Sequence, residues 1–253
     1  MRTLLIVAAG CVAATPLAAQ SDHTAPRNAT VDARGARVVR IIGRAGQLRV
    51  TGVEGRTDVR VLGTARAGRE SHLDDIELQA ERRGDAVEIE AIIPERHVSW
   101  SWGDGMVLDL VIEVPRGARL EIDDGSGETR IRDVGALRME DGSGDLEIDG
   151  VTGDVEVKDG SGSLRVRDVR GSVTITDGSG EIDVQKVTGS LTVDEDGSGE
   201  ITARDIGEAV RVRRDGSGPI RVAGVGGDFV VDRDGSGGIS SRDVKGAVRI
   251  PRS

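Results

Sequence analysis

The tetrapeptide Asp-Gly-Ser-Gly occurs seven times, starting at Asp124, Asp141, Asp159, Asp177, Asp196, Asp215 and Asp234, at steps of 17, 18, 18, 19, 19 and 19 residues. A fixed period near twenty is the mark of a stacked array, because one such unit cannot bury its own apolar edge and neighbouring units bury it together. Take each Asp as position zero. Allowing for the first repeat being one residue short before its later strand (Leu137 and Met139), positions five, seven, ten, fourteen and sixteen are then apolar in every repeat except at Thr129 and Ser241. In the second repeat they are Leu146, Ile148, Val151, Val155 and Val157, with charged and polar residues between them. Such alternation predicts two half-buried strands per repeat. Glycines stand at both junctions, where tight corners favour positive φ. The predicted fold is all-β: a single-stranded parallel β-solenoid, or β-helix, with two short strands per 17–19-residue coil. An antiparallel meander of hairpins is the competing arrangement.

Composition agrees. The 253 residues include one Phe, two Trp and no Tyr, so Val, Ile, Leu and Ala must fill the core. A slender coil has room for those and not for large rings. Apolar residues make up 37%, regularly spaced, which separates the chain from disordered sequences of similar charge. Collagen, disulfide scaffolds and multi-span membrane proteins are excluded. A net charge of −10 argues against a nucleic-acid partner, which needs clustered Lys and Arg. Charge placement supports stacking in register. Position eight reads Arg132, Asp149, Arg167, Gln185, Arg204, Ala223 and Arg242, so like charges are not direct neighbours.

The ends read differently. Residues 1–19 form a signal peptide: Arg2, an apolar stretch from Leu4 to Ala14, and Leu17-Ala18-Ala19 before Gln20 as the cleavage site. Ala9-Gly10-Cys11 offers a lipoprotein signal as the rival, with a short apolar run before the cysteine. Cys11 is the only cysteine, so the processed chain forms no disulfide. Residues 20–35 read as a polar linker, 36–116 as an irregular β cap, and 117–253 as the regular solenoid. Gly46 to Val61 resembles a degenerate repeat. No helix is expected after the signal peptide, and no transmembrane segment in the mature chain. The expected location is exported, periplasmic or at the cell surface.

The runs Ser143-Gly144-Asp145-Leu146-Glu147-Ile148 and Ser179-Gly180-Glu181-Ile182-Asp183-Val184 resemble the repeats of a bacterial exported family of unknown function that bears the name "putative adhesin". Ser126-Gly127-Glu128 and the lead-in Leu110-Val111-Ile112-Glu113-Val114-Pro115-Arg116-Gly117-Ala118 are similar to it too. The resemblance covers most of residues 37–250. It implies an exported β-solenoid at the cell envelope and carries no catalytic residues.

Candidate chemistry is sparse. A Ser repeated in every coil is no unique nucleophile, and His23, His72 and His97 lie outside the repeats. The Gly-rich corners lack the Gly-Lys-Ser or Gly-Lys-Thr of a phosphate loop. The seven Asp residues are read as a ladder along one surface edge. Asx-turn hydrogen bonds, nearby Lys158, Arg214 and Arg233, or Ca²⁺ would relieve its repulsion. The motif lacks the calcium-binding β-roll pattern, so no metal or other cofactor is assigned. Trp100 and Trp102 are candidates for ligand contact, against a simpler role as plugs in the cap. The expected function is a non-enzymatic structural or adhesion-like envelope protein presenting polar ladders to a surface, a matrix or other copies of itself. A polysaccharide-binding or polysaccharide-degrading β-helix is the alternative. Weak end-to-end self-association is expected at the C-terminal edge, which Pro251, Arg249 and Arg252 partly guard.

Overall fold

The computed structural model describes residues 23–94 and 105–251. Residues 1–19, read as a signal peptide, with Cys11 among them, and His97, Trp100, Trp102 and Arg252 lie outside the described residues, so the readings placed on them stand as expectations. Two eleven-stranded sheets face each other, and the apolar core runs between them. In each regular coil one strand belongs to the front sheet, such as Leu146–Val151, and one to the back sheet, such as Val155–Asp159. Every regular strand pairs in parallel with its counterpart one coil away. Leu146 lies beside Leu164, Leu164 beside Ile182 and Ile182 beside Ile201. This is the stacked solenoid, and the meander is excluded.

Three local devices keep the coils in register. Strict alternation would turn position nine inward after positions five and seven, yet position ten is the buried one. Position nine is left-handed in every coil: Asp133, Asp168, Lys186, Asp205 and Asp243 at φ 52–58°, and Gly150 and Gly224 at 71° and 69°. That kink shifts the phase by one residue. Asp and Gly tolerate this region best. The second device is the corner. A Cβ on Gly180 (φ +148°) would sit 1.6 Å from the Gly162 carbonyl oxygen, and one on Gly178 2.4 Å from that of Gly160. Both corner glycines are therefore demanded by the coil beneath. The third absorbs the longer repeats: between Ile175 and Thr176 the register slips so that Thr176 meets Glu195, and Asp177 still meets Asp196.

The N-terminal part is threaded differently from a simple cap. Strands β1 (His23–Asp32), β2 (Val38–Ile42), β3 (Leu48–Val53), β4 (Asp58–Ala67), β5 (Glu77–Arg83), β6 (Ala86–Ile92) and β7 (Met106–Pro115) precede the repeats. Strands β2 and β3 form the coil directly under the first regular one, pairing in parallel with Leu120–Asp124 and Thr129–Arg132. Strands β6 and β7 lie in parallel on their other side. Antiparallel β5 finishes the back sheet, and antiparallel β4 and then β1 finish the front sheet.

Several expectations are corrected here. The segment read as a polar linker, 20–35, contains β1, a ten-residue strand paired along its length with β4. Its inward residues Ala25, Ala29 and Val31 are small and only partly buried, so the apolar signal was faint. Pro26 fits because β1 is an edge strand. The degenerate coil is β2–β3, not Gly46 to Val61; Val59 and Val61 belong to antiparallel β4. One short 3₁₀ turn, Glu70–Asp75, follows β4, and Arg27 of β1 holds it by donating to the carbonyls of Leu73 (2.7 Å) and Ile76 (2.8 Å). In the last coil the inward positions are not sealed: Ser241 is exposed, as are Val248 at 47% and Ile250 at 48%. Among the described residues no further coil lies over them.

Candidate functional site

Two features repeat from coil to coil and differ from the paired charges of the sheet faces. One is a groove along the corner that follows the front sheet. Position ten (Val151, Val169, Val187, Ile206 and Val225) runs beneath it with the side chains buried in the core, and its volume is about 860 Å³. One rim carries the left-handed position-nine residues, and the other Thr152, Arg170, Thr188 and Lys245. From Asp133 to Asp243 the groove crosses successive coils, which at the usual strand spacing of about 4.8 Å makes it roughly 30 Å long. Arg116 binds Asp133 at 2.9 Å at one end, and Lys186 stands 3.6 Å from Asp168 in the middle. The groove has the periodicity of the coil, so it presents the same backbone kink repeatedly to an extended chain, while the rim side chains vary from coil to coil. Its rims mix both charges. The kink at position nine raises the first rim, and because it lies between two inward positions it left no apolar signal in the sequence.

The other feature is the Asp column, and here the surface reading is wrong. Asp124, Asp141, Asp159, Asp177, Asp196 and Asp215 are buried, between 1% and 6% exposed; only Asp234 of the last coil is partly open. In the back strands, positions fourteen and sixteen point inward, and the Asp continues their row, as in Val155, Val157 and Asp159. The carboxyl groups stack in register: Asp124 beside Asp141, then Asp159, Asp177, Asp196, Asp215 and Asp234. The column stops at Gly43 of the β2–β3 corner, where a Cβ would lie 2.1 Å from Asp124 Oδ1.

Partners for these oxygens are few. Thr129, one of the two non-apolar inward positions, is fully buried and donates its hydroxyl to Asp124 Oδ2 at 2.8 Å. The Gly125 N–H donates to Asp124 Oδ1 at 3.1 Å, and the Ser161 N–H to Asp159 Oδ1 at 3.2 Å. Both oxygens of Asp141, Asp177, Asp196 and Asp215 make no hydrogen bond, although the N–H of Gly142 beside Asp141 and those of Gly178 and Ser179 beside Asp177 offset part of the burial. Lys158 and Arg214, expected to neutralise the ladder, instead pair outward with Glu140 at 2.9 Å and Glu195 at 2.8 Å. Burial, aided by Asp124 and Asp159, raises the Asp141 carboxyl to about 7. Burial beside Asp159 raises that of Asp177 to about 6. Asp196 and Asp215 are raised as well, first by burial and then by the carboxyl group of the next coil. Burial also raises Asp124, in spite of its two donors, and Asp159. Among the described residues no three His, Cys, Asp or Glu side chains converge as a metal site would require.

The family model described as Toastrack DUF4097 matches residues 46–231. Solved structures of similar trace include a "putative lipid binding protein" from Parabacteroides distasonis (16% identity, 89% of this chain and 97% of that one, TM-score 0.42). A "putative adhesin" from Bacteroides fragilis (14%, 91% and 98%, 0.35) and a "putative cell adhesion protein" from Clostridium sporogenes (12%, 90% and 99%, 0.33) are similar too. At that likeness nothing about binding is carried over from them. None of the curated proteins matches the chain.

Proposed function

The chain belongs to the Toastrack DUF4097 family, and from that premise we propose that it is a non-enzymatic, exported, adhesion-like β-solenoid of the cell envelope. The observation that carries this reading is the corner groove, which offers the same kinked backbone rim in coil after coil. A catalytic site needs a few unique groups gathered at one place, whereas this groove spreads its charged groups, Asp168, Lys186, Asp205 and Lys245 among them, along the stack. Repetition suits multivalent contact, in which each coil adds a small increment and the increments multiply. Export follows from the signal-peptide reading of residues 1–19. No helix among the described residues is long and apolar enough to cross a membrane.

The groove also favours the binding half of a second reading, an extended polysaccharide as the occupant, because its roughly 30 Å length matches a linear polymer better than a small molecule. One experiment addresses both. The mature protein is sedimented with isolated bacterial envelopes, with and without soluble envelope polysaccharide, beside an Asp168→Lys/Asp205→Lys variant. Lys186 already occupies the equivalent left-handed position, so the backbone accepts the change. Saturable binding that the variant weakens at least tenfold supports the groove, and competition by polysaccharide identifies the occupant. Turnover of polysaccharide or ester abolished by one substitution would overturn the non-enzyme reading.

Self-association belongs to the same proposal. Val248 and Ile250 are exposed at the last coil, and a strand edge there can pair with another chain. Light scattering should rise with concentration and fall in Val248→Lys; association unchanged in that variant places the contact elsewhere.

A further inference from the structure

We propose that the Asp column is a buried proton-binding site, in which carboxyl groups of successive coils share protons along the solenoid axis, so that the rod is held tightest in acid and loosens as the surroundings turn alkaline.

The geometry leads there in three steps. First, the carboxyl groups are positioned deliberately by the fold. Repeat length grows from 17 to 19 residues, and period-two alternation would turn the Asp outward in the longer coils. The register slip at Ile175 and Thr176 absorbs the extra residue, and Asp196 stays inward on Asp177. Second, no cation faces the column. From the front sheet it meets position five, which after Thr129 is Leu or Ile in each coil. From the back sheet it meets position sixteen, which is Met139, then Val or Ile. The corner adds only Gly and Ser, and the β2–β3 coil adds Gly43. The charged residues beside it in sequence, Asp123, Glu140, Lys158, Glu195, Arg214 and Arg233, are all exposed. Third, the register sets Asp177 beside Asp196, Asp196 beside Asp215 and Asp215 beside Asp234 in successive coils. As carboxylates these oxygens are all acceptors, and those of Asp177, Asp196 and Asp215 make no hydrogen bond in the folded chain. One proton per pair converts two facing acceptors into an O–H donor and its acceptor. It satisfies a buried polar group and removes a like-charge contact in the same step. The proton comes from solvent and returns to it; no covalent bond is otherwise altered.

The raised carboxyl groups of Asp141 and Asp177 agree with this arrangement. A divalent cation would need six to eight oxygens around it, and the column supplies a line of pairs instead.

Infrared spectroscopy of the full mature chain in D₂O tests the proposal, because a protonated carboxyl absorbs apart from a carboxylate. At about pH 5.5 an ordinary Asp is more than tenfold ionised. The folded protein should nonetheless show protonated-carboxyl absorption there, fading as the pH passes neutrality. An Asp141→Asn/Asp177→Asn/Asp215→Asn variant should lose roughly half of that band, while exposed Asp145→Asn loses none. If the triple variant does not fold, carboxyl-carbon NMR titration of the parent reads the same groups one by one. A folded parent with no protonated band at that pH, or a band untouched by the substitutions, overturns the proposal. So does loss of the band on adding Ca²⁺ with a matching rise in melting temperature, which would make the column a metal site.

Discussion

Replacing Asp141 by Asn should stabilise the protein in alkaline solution and leave it unchanged in acid. The Asp141 carboxyl titrates near 7 in the folded chain against an ordinary value of 3.8. The folded state therefore holds a proton that the unfolded state releases between those two values. Stability from this group is complete below pH 3.8 and is lost as the pH rises through about 7. Three units at about 1.36 kcal/mol each give a ceiling of about 4 kcal/mol. Asn keeps the shape and the hydrogen-bonding capacity but cannot ionise, so it escapes that loss. Urea unfolding of parent and variant at about pH 4, 6 and 8.5 measures the difference. We expect it near zero at the lowest pH, rising by roughly 1 kcal/mol per unit through the middle range, and flat above neutrality. A difference that does not change with pH refutes the reasoning, and so does an Asn variant less stable than the parent at the highest pH.

Thr129→Val removes the buried hydroxyl that serves Asp124 while preserving volume; it should cost about 1–3 kcal/mol in the same urea assay, more in alkali than in acid. Gly180→Ala meets the Gly162 carbonyl at 1.6 Å and a left-handed backbone, so it should cost about 3 kcal/mol or more, whereas neighbouring Ser179→Ala should stay within about 0.5 kcal/mol. Ile175→Ala, fully buried between the sheets, should lose about 2–5 kcal/mol by calorimetry, with hydrogen exchange speeding first in the adjacent coils.

Much of the solenoid was legible in the sequence because its rules are short-range and repeated. Apolar alternation and corner glycines state the coil seven times, and position eight records the stacking in its charges. The Asp column was misread although its parity was visible: in Val155-Glu156-Val157-Lys158-Asp159 the Asp falls on the inward row. Two things hid it. Carboxylates are seldom buried, and the coils of 19 residues break the parity until the register slip in the back sheet is known. Strand β1 escaped the sequence reading because Ala25 and Ala29 carry little apolar signal and its partners in β4 lie 26 to 44 residues away. The groove was illegible for a different reason: it is made by backbone handedness at position nine, where Asp133, Lys186 and Gly224 share a conformation and no chemistry.

The way β2 and β3 are threaded sets an order of assembly. Between regular coils a residue meets its neighbour 17 to 19 positions away, while Arg40 must find Glu121 across 81. By the logarithmic cost of loop closure this longer search adds about 1.3 kcal/mol before any contact rewards it. The repeats can zip from neighbour to neighbour as soon as two coils meet. The β2–β3 coil instead waits for residues 54–119 to fold back over it, with β6 and β7 on one side and the first regular coil on the other. The β2–β3 coil should therefore dock after the repeats have begun to stack, and pulse-labelled hydrogen exchange during refolding should protect Val39 and Val50 later than Val166 and Val184.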